Sequence, residues 1–126
     1  MDYNVKMKVL LEVDFNTEEF NVLMYESAKP YVIDDIKSII EEDTILSKYI
    51  DGDLTFCFES NHKILLKYCF SCNDENEAEA ESFSRSCVED IRSRLEDKGI
   101  TIKKISCKAE EMDMGWLDCL EDNIFG

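Results

Sequence analysis

Residues 54–70 read Leu-Thr-Phe-Cys-Phe-Glu-Ser-Asn-His-Lys-Ile-Leu-Leu-Lys-Tyr-Cys-Phe, two alternating runs folded back about Asn61-His62-Lys63. Leu54, Phe56 and Phe58 alternate on the first arm, and Leu66, Tyr68 and Phe70 on the second, the period-two pattern of half-buried strands. Turn length decides whether the two apolar sets meet. A two-residue loop pairs Phe58 with Leu65 and sends them to opposite faces, because a one-residue slip inverts every side chain. A three-residue loop pairs Ser60 with Ile64, Phe58 with Leu66, Phe56 with Tyr68 and Leu54 with Phe70, giving one apolar face. The sequence therefore predicts a hairpin with a three-residue turn.

The rest of the chain supplies partners for that hairpin. Val5, Met7, Val9, Leu11, Val13 and Phe15 alternate with polar residues and predict a first strand. Asn16 followed by Glu19 has the spacing of a helix cap, with Phe20, Leu23, Met24 and Ser27 behind it. This predicts a helix over about 17–28, against an alternative strand over 20–26. Pro30 ends or bends that segment, and Val32, Ile33, Ile36, Ile39 and Ile40 form a second helical stripe ending near Glu42.

Residues 41–53 form an acidic connector pinned by Ile45, Leu46, Tyr49 and Ile50, and Asp51-Gly52-Asp53 is a turn that launches the hairpin. After Cys72, a carboxylate-rich helix start leads into a stripe of Ala80, Phe83, Cys87, Ile91 and Leu95, with Gly99 at the stop. One long helix over about 75–98 is expected. Ile100 and Ile102 then share one parity and Ile105 and Cys107 the other, so the last strand carries an extra residue near Lys103-Lys104.

The order strand, helix, strand, strand, helix, strand predicts an α+β fold of the ferredoxin-like, split βαβ kind. In it, helices cover one face of a four-stranded antiparallel sheet. Residues 1–109 are expected to form this single domain and residues 110–126 an acidic C-terminal tail or short helix.

Charge narrows the function classes. With 14 Lys and Arg against 29 Asp and Glu, the net charge is −15, which repels nucleic acid and anionic membranes alike. Direct nucleic-acid binding and membrane insertion are not expected, the latter because no segment approaches the ~20 apolar residues of a span. The compartment expected is cytoplasmic, and the six cysteines are read as reduced packing residues. Cys69-x-x-Cys72 stands alone in a strand, where neither a zinc site nor a thioredoxin-like motif is complete. His62, the only histidine, falls in a turn, and the four glycines are too scattered for a phosphate loop. No catalytic, cofactor or metal residue is assigned.

Two acidic stretches stand out. Asp74, Glu75, Glu77, Glu79 and Glu81 place five carboxylates in eight residues. On a helix rising ~1.5 Å per residue that is one charge per ~2.4 Å, near the ~1.7 Å of duplex DNA. Residues 110–126 add six acids and no base, among them Glu110, Glu111 and Asp113, around the only tryptophan. Trp116, Leu117, Leu120 and Ile124 are expected on one side of a short helix that docks on the domain or in a partner's groove.

The candidate partner-binding residues are Asp74, Glu75, Glu77, Glu79, Glu81, Glu110, Glu111, Asp113, Trp116 and Leu120. They point to a small non-catalytic inhibitor or regulator of a basic surface on a nucleic-acid-handling enzyme, acting as a nucleic-acid mimic. An anti-CRISPR-like antagonist of a defence nuclease is one form of it. The alternative is a small-molecule or metal-binding domain of the same fold, as a dimer through its edge strands.

Overall fold

The structure is a computed structural model that describes residues 1–13, 22–60 and 62–111, with backbone alone for 22–28. The elements are β1 (Asp2–Val13), α1 (Val22–Glu42), α2 (Thr44–Tyr49), β2 (Ile50–Phe58), β3 (Lys63–Asn73), α3 (Glu77–Glu89), α4 (Arg92–Asp97) and β4 (Ile100–Glu111). The strands form one antiparallel sheet in the order β2-β3-β1-β4, so the chain is α+β, as its alternation predicts.

β1 is the organiser. It pairs along its length with β3 on one side and β4 on the other. Tyr3, Val5, Met7, Val9, Leu11 and Val13 are buried, and Asn4, Lys6, Lys8, Leu10 and Glu12 turn outward. Its neighbour β3 buries Ile64, Leu66, Tyr68, Phe70 and Cys72 on the same face. The helices add Ile36, Ile39 and Ile40 of α1, Leu46 of α2, and Ala80, Cys87, Val88, Ile91 and Leu95 of α3, α4 and the turn between them. Burying an aliphatic side chain of this size is worth about 1.5–3 kcal/mol, so this inward face supplies most of the stabilisation. Tyr49, Phe70 and Phe83 lock α2, β3 and α3 together, with ring centroids 5.6–6.0 Å apart in tilted and edge-on geometry. Lys29 and Lys37 of α1 lie over Phe58 and Phe56 of β2, at 4.8 and 5.9 Å from the ring centres.

Several expectations are corrected. Phe58 pairs with Ile64 and Phe56 with Leu66, and the Glu59 N–H donates to the Lys63 carbonyl at 2.9 Å. The hairpin register is therefore two residues from the expected one. Parity is unchanged, so the same side chains face inward. Asp51-Gly52-Asp53 lies within β2 as an irregularity, where pairing shifts between Asp51 and Thr55 and Gly52 takes φ +88°.

Pro30 sits inside α1 without ending it. The helix reading of 22–28 holds over the strand alternative, while residues 14–21, including Phe15, Asn16 and Glu19, lie outside the described residues. The acidic connector contains α2, capped by Asp43, whose carboxylate accepts the Ile45 and Leu46 N–H groups at 3.1 and 2.9 Å. Leu46 is buried, but Ile45 is exposed and pins nothing.

The expected single helix over 75–98 is two helices. At the break, the Ile91 N–H turns to the Val88 carbonyl, tightening the backbone while the stripe stays inward. The extra residue in β4 is where parity placed it: Leu10 faces Lys104 and Leu11 faces Ile102, so Lys103 is the bulge. β4 runs on to Glu111, past the expected boundary at 109.

Candidate functional site

The start of β1 lies between the ends of β3 and β4. Asp2 faces Asn73, and Tyr3 faces Cys72 on one side and Glu111 on the other. α3 follows immediately, with Asn76 as its cap: its side-chain oxygen accepts the Glu79 N–H at 2.9 Å. Carboxylates in the first turn of a helix are favoured by its dipole, and Glu77 and Glu79 occupy that turn. Asp74–Glu79 and Glu110–Glu111, separated by about thirty positions in the chain, thus meet at one end of the sheet as an acidic pole.

Tyr3 reports the convergence. Its phenol is raised above the ordinary value, first by burial and then by the carboxylates of Glu111, Glu77 and Asp74. The chain start is tied in here too. The Asn73 amide donates to Asp2 at 2.8 Å, and the Asp74 N–H donates to the Met1 carbonyl at 3.0 Å.

The acids differ in what they do. Glu75, Glu77 and Glu79 are exposed and form no ion pair among the described residues. Glu110 pairs with Lys6 at 3.4 Å across exposed surface, a contact worth about 0–1 kcal/mol. Glu81 turns back to accept the Ala109 N–H at 3.0 Å, fastening α3 to β4. Asp74 is half-buried beside the Cys72 thiol, and its Oδ2 is enclosed without a hydrogen-bond partner.

The expected line of charge along a helix also changes. Asp74 and Glu75 precede α3, and side chains two apart on a helix diverge by about 200°. Glu77 and Glu79 therefore project to different sides. The charge is a patch around the pole and not a linear ladder.

Asp113, Trp116 and Leu120 lie outside the described residues. Asp2 and Tyr3 were missed as members, because the alternation that marks β1 begins at Val5 and only the strand register brings residue 2 to residue 73. Cys69 and Cys72 fall on opposite faces of β3, half-buried outside and buried inside, so they cannot share a ligand. Among the described residues no group of three or more His, Cys, Asp or Glu is placed to hold a metal ion. No described helix is long and apolar enough to cross a membrane. No family model, curated protein or solved structure matches the chain.

Proposed function

We propose that the chain is a non-catalytic inhibitor or regulator whose acidic pole occupies a basic surface of a nucleic-acid-handling protein. The reading rests on one observation: Asp74–Glu79 and Glu110–Glu111 are brought to the same end of the sheet, with Glu75, Glu77 and Glu79 left without cationic partners among the described residues. Exposed carboxylates at this spacing repel one another, and a basic groove relieves that repulsion. The scaffold is read as the ferredoxin-like split βαβ sandwich, whose central strands carry the pole on a rigid base. A DNA-mimicking antagonist of a defence nuclease is the concrete form proposed.

The test is the combined change Glu75→Gln, Glu77→Gln, Glu79→Gln and Glu111→Gln in protein used to capture partners from the native cell. Glu81 is left intact because it fastens α3. Wild type is expected to capture basic, nucleic-acid-handling proteins, and the variant to bind them about a hundredfold or more weakly with its fold retained. Raising salt from ~50 to ~200 mM shortens the Debye length from ~14 to ~7 Å, and should weaken the wild-type complex far more than the variant. Partners that are acidic or neutral, or equal binding by the variant at low salt, would overturn the reading.

A further inference from the structure

The bulge in β4 gathers cations in a chain dominated by acids. Arg85 of α3 donates to the Ile105 carbonyl at 3.0 Å and to Cys107 Sγ at 3.4 Å, and Arg92 of α4 donates to the Ile102 carbonyl at 3.2 Å. Ile102 and Ile105 flank the bulge, so the two guanidinium groups are fixed on either side of Lys103 and Lys104. Together with Glu89, these four basic side chains line a depression of about 170 Å³ whose walls are almost wholly polar.

Four cations around one depression repel one another. Only two of them are answered by an acid. Arg92 grips Glu89 at 2.6 and 2.7 Å, and Lys103 reaches Glu12 at 3.6 Å across exposed surface. Arg85 and Lys104 have no ion pair among the described residues. A guanidinium carries five N–H donors. Arg85 uses two and Arg92 three in the contacts just given, so both retain donors for a ligand. Glu89 reports the crowding of positive charge: its carboxyl is held below the ordinary range, first by hydrogen bonding from Arg92 and also by the charges of Arg92 and Arg85.

We propose that this depression binds a phosphoryl dianion, either inorganic phosphate or the phosphate of a small monoester, with Arg85, Arg92, Lys103 and Lys104 as its donors. The donors come from three elements, α3, α4 and β4. That arrangement suits a tetrahedral group with several acceptor oxygens better than a planar carboxylate with two. Size agrees. At ~30 Å³ per water the depression has the volume of about five or six waters, enough for one such group, and it falls below the ~300 Å³ of pockets for drug-sized ligands.

The acidic pole does not prevent binding here. Lys103 is eight residues from Glu111 along β4, ~26 Å at ~3.3 Å per residue, whereas the Debye length at ~0.15 M salt is ~8 Å. A long nucleic acid fits less well, because its further phosphates would meet the chain's excess of −15 beyond the site. The proposal is independent of the pole, since it uses other residues at another place on the sheet.

The test is a nuclear magnetic resonance titration of the full chain, labelled with nitrogen-15, at about pH 8, where such phosphates are dianions. Sodium phosphate is compared with sodium chloride at matched ionic strength. Phosphate is expected to give saturable shifts at the amides of residues 102–105 and at the Arg85 and Arg92 Nε–H groups. Lys103→Gln with Lys104→Gln leaves the arginine anchors on β4 in place and should weaken binding about fivefold or more. Glu89→Gln removes the competing charge while keeping an acceptor for Arg92, and should tighten binding about threefold. Phenyl phosphate binding more tightly than inorganic phosphate would support the monoester form, and equal affinities would support free phosphate.

Equal shifts with sodium chloride, or with acetate in place of phosphate, would overturn the proposal. Unchanged affinity in the lysine variant, or weaker binding in Glu89→Gln, would do the same. Binding of a single-stranded oligonucleotide more tightly than either phosphate, lost in the lysine variant, would assign the cluster to nucleic acid instead.

Discussion

Cys72 and Cys87 lie in the core, and burial first of all pushes each thiol from its ordinary 9.0 up to about 11, with Asp74 and Asp90 adding in turn. Tyr68, whose buried hydroxyl has no hydrogen-bond partner, is raised in the same direction and for the same first reason. A raised folded pKa means that the fold holds its proton more tightly than the unfolded chain does. The stabilisation is fully present below the unfolded value and is lost as pH climbs through the folded one. Urea midpoints should therefore be level up to pH 9 and fall between pH 9 and about 11. The fall should shrink in Cys72→Ala with Cys87→Ala, and an unchanged slope would show that these thiols carry none of it.

At the level of elements, the bulge at Lys103 interrupts the β1–β4 ladder, and two guanidinium groups reach the carbonyls beside it. Arg85 of α3 donates to Ile105 at 3.0 Å, and Arg92 of α4 donates to Ile102 at 3.2 Å while gripping Glu89 at 2.6 and 2.7 Å. Arg85→Met keeps much of the side-chain stem and removes the donor. It should cost about 1–2 kcal/mol in denaturant unfolding, with partner capture through the pole unaffected.

The bulge was legible because an extra residue switches parity, from Ile102 to Ile105. The hairpin register was not, because a slip of two leaves Phe56, Phe58, Leu66 and Ile64 on the same face and the hydrophobic pattern cannot distinguish the two pairings. The break at Asp90-Ile91 was hidden for a similar reason: no glycine or proline marks it, and the stripe runs through it unbroken. Pro30 misled in the other direction, since propensity is a local preference and α1 is held by Ile36, Ile39 and Ile40 further along. Of the acidic pole, the carboxylates were legible as composition. That two stretches share one location required the pairing of Tyr3 with both Cys72 and Glu111.

For the whole molecule, charge is segregated as well as unbalanced. Among the described residues, Glu75, Glu77 and Glu79 lie without an ion pair at one end of the sheet and Lys8, Lys67, Lys104 and Lys108 without one on its outer face, and the net excess of −15 disfavours any compact state. Screening should therefore stabilise the fold. The thermal midpoint is expected to rise by a few degrees between ~50 and ~200 mM sodium chloride, because the Debye length halves over that range. A fall would mean that specific ion pairs outweigh the excess.

The two irregularities described in the sheet both affect its borders. β2 and β4 are the outer strands, and an outer strand exposes backbone groups that can recruit a strand from another molecule into a growing fibre. At Gly52 the backbone departs from extended geometry, and at Lys103 a lysine interrupts the regular run of β4. A straight incoming strand could match only part of either border before losing register. A substitution that straightened one of them, Gly52→Val for example, would remove an internal guard against aggregation even where the folded core was left untouched.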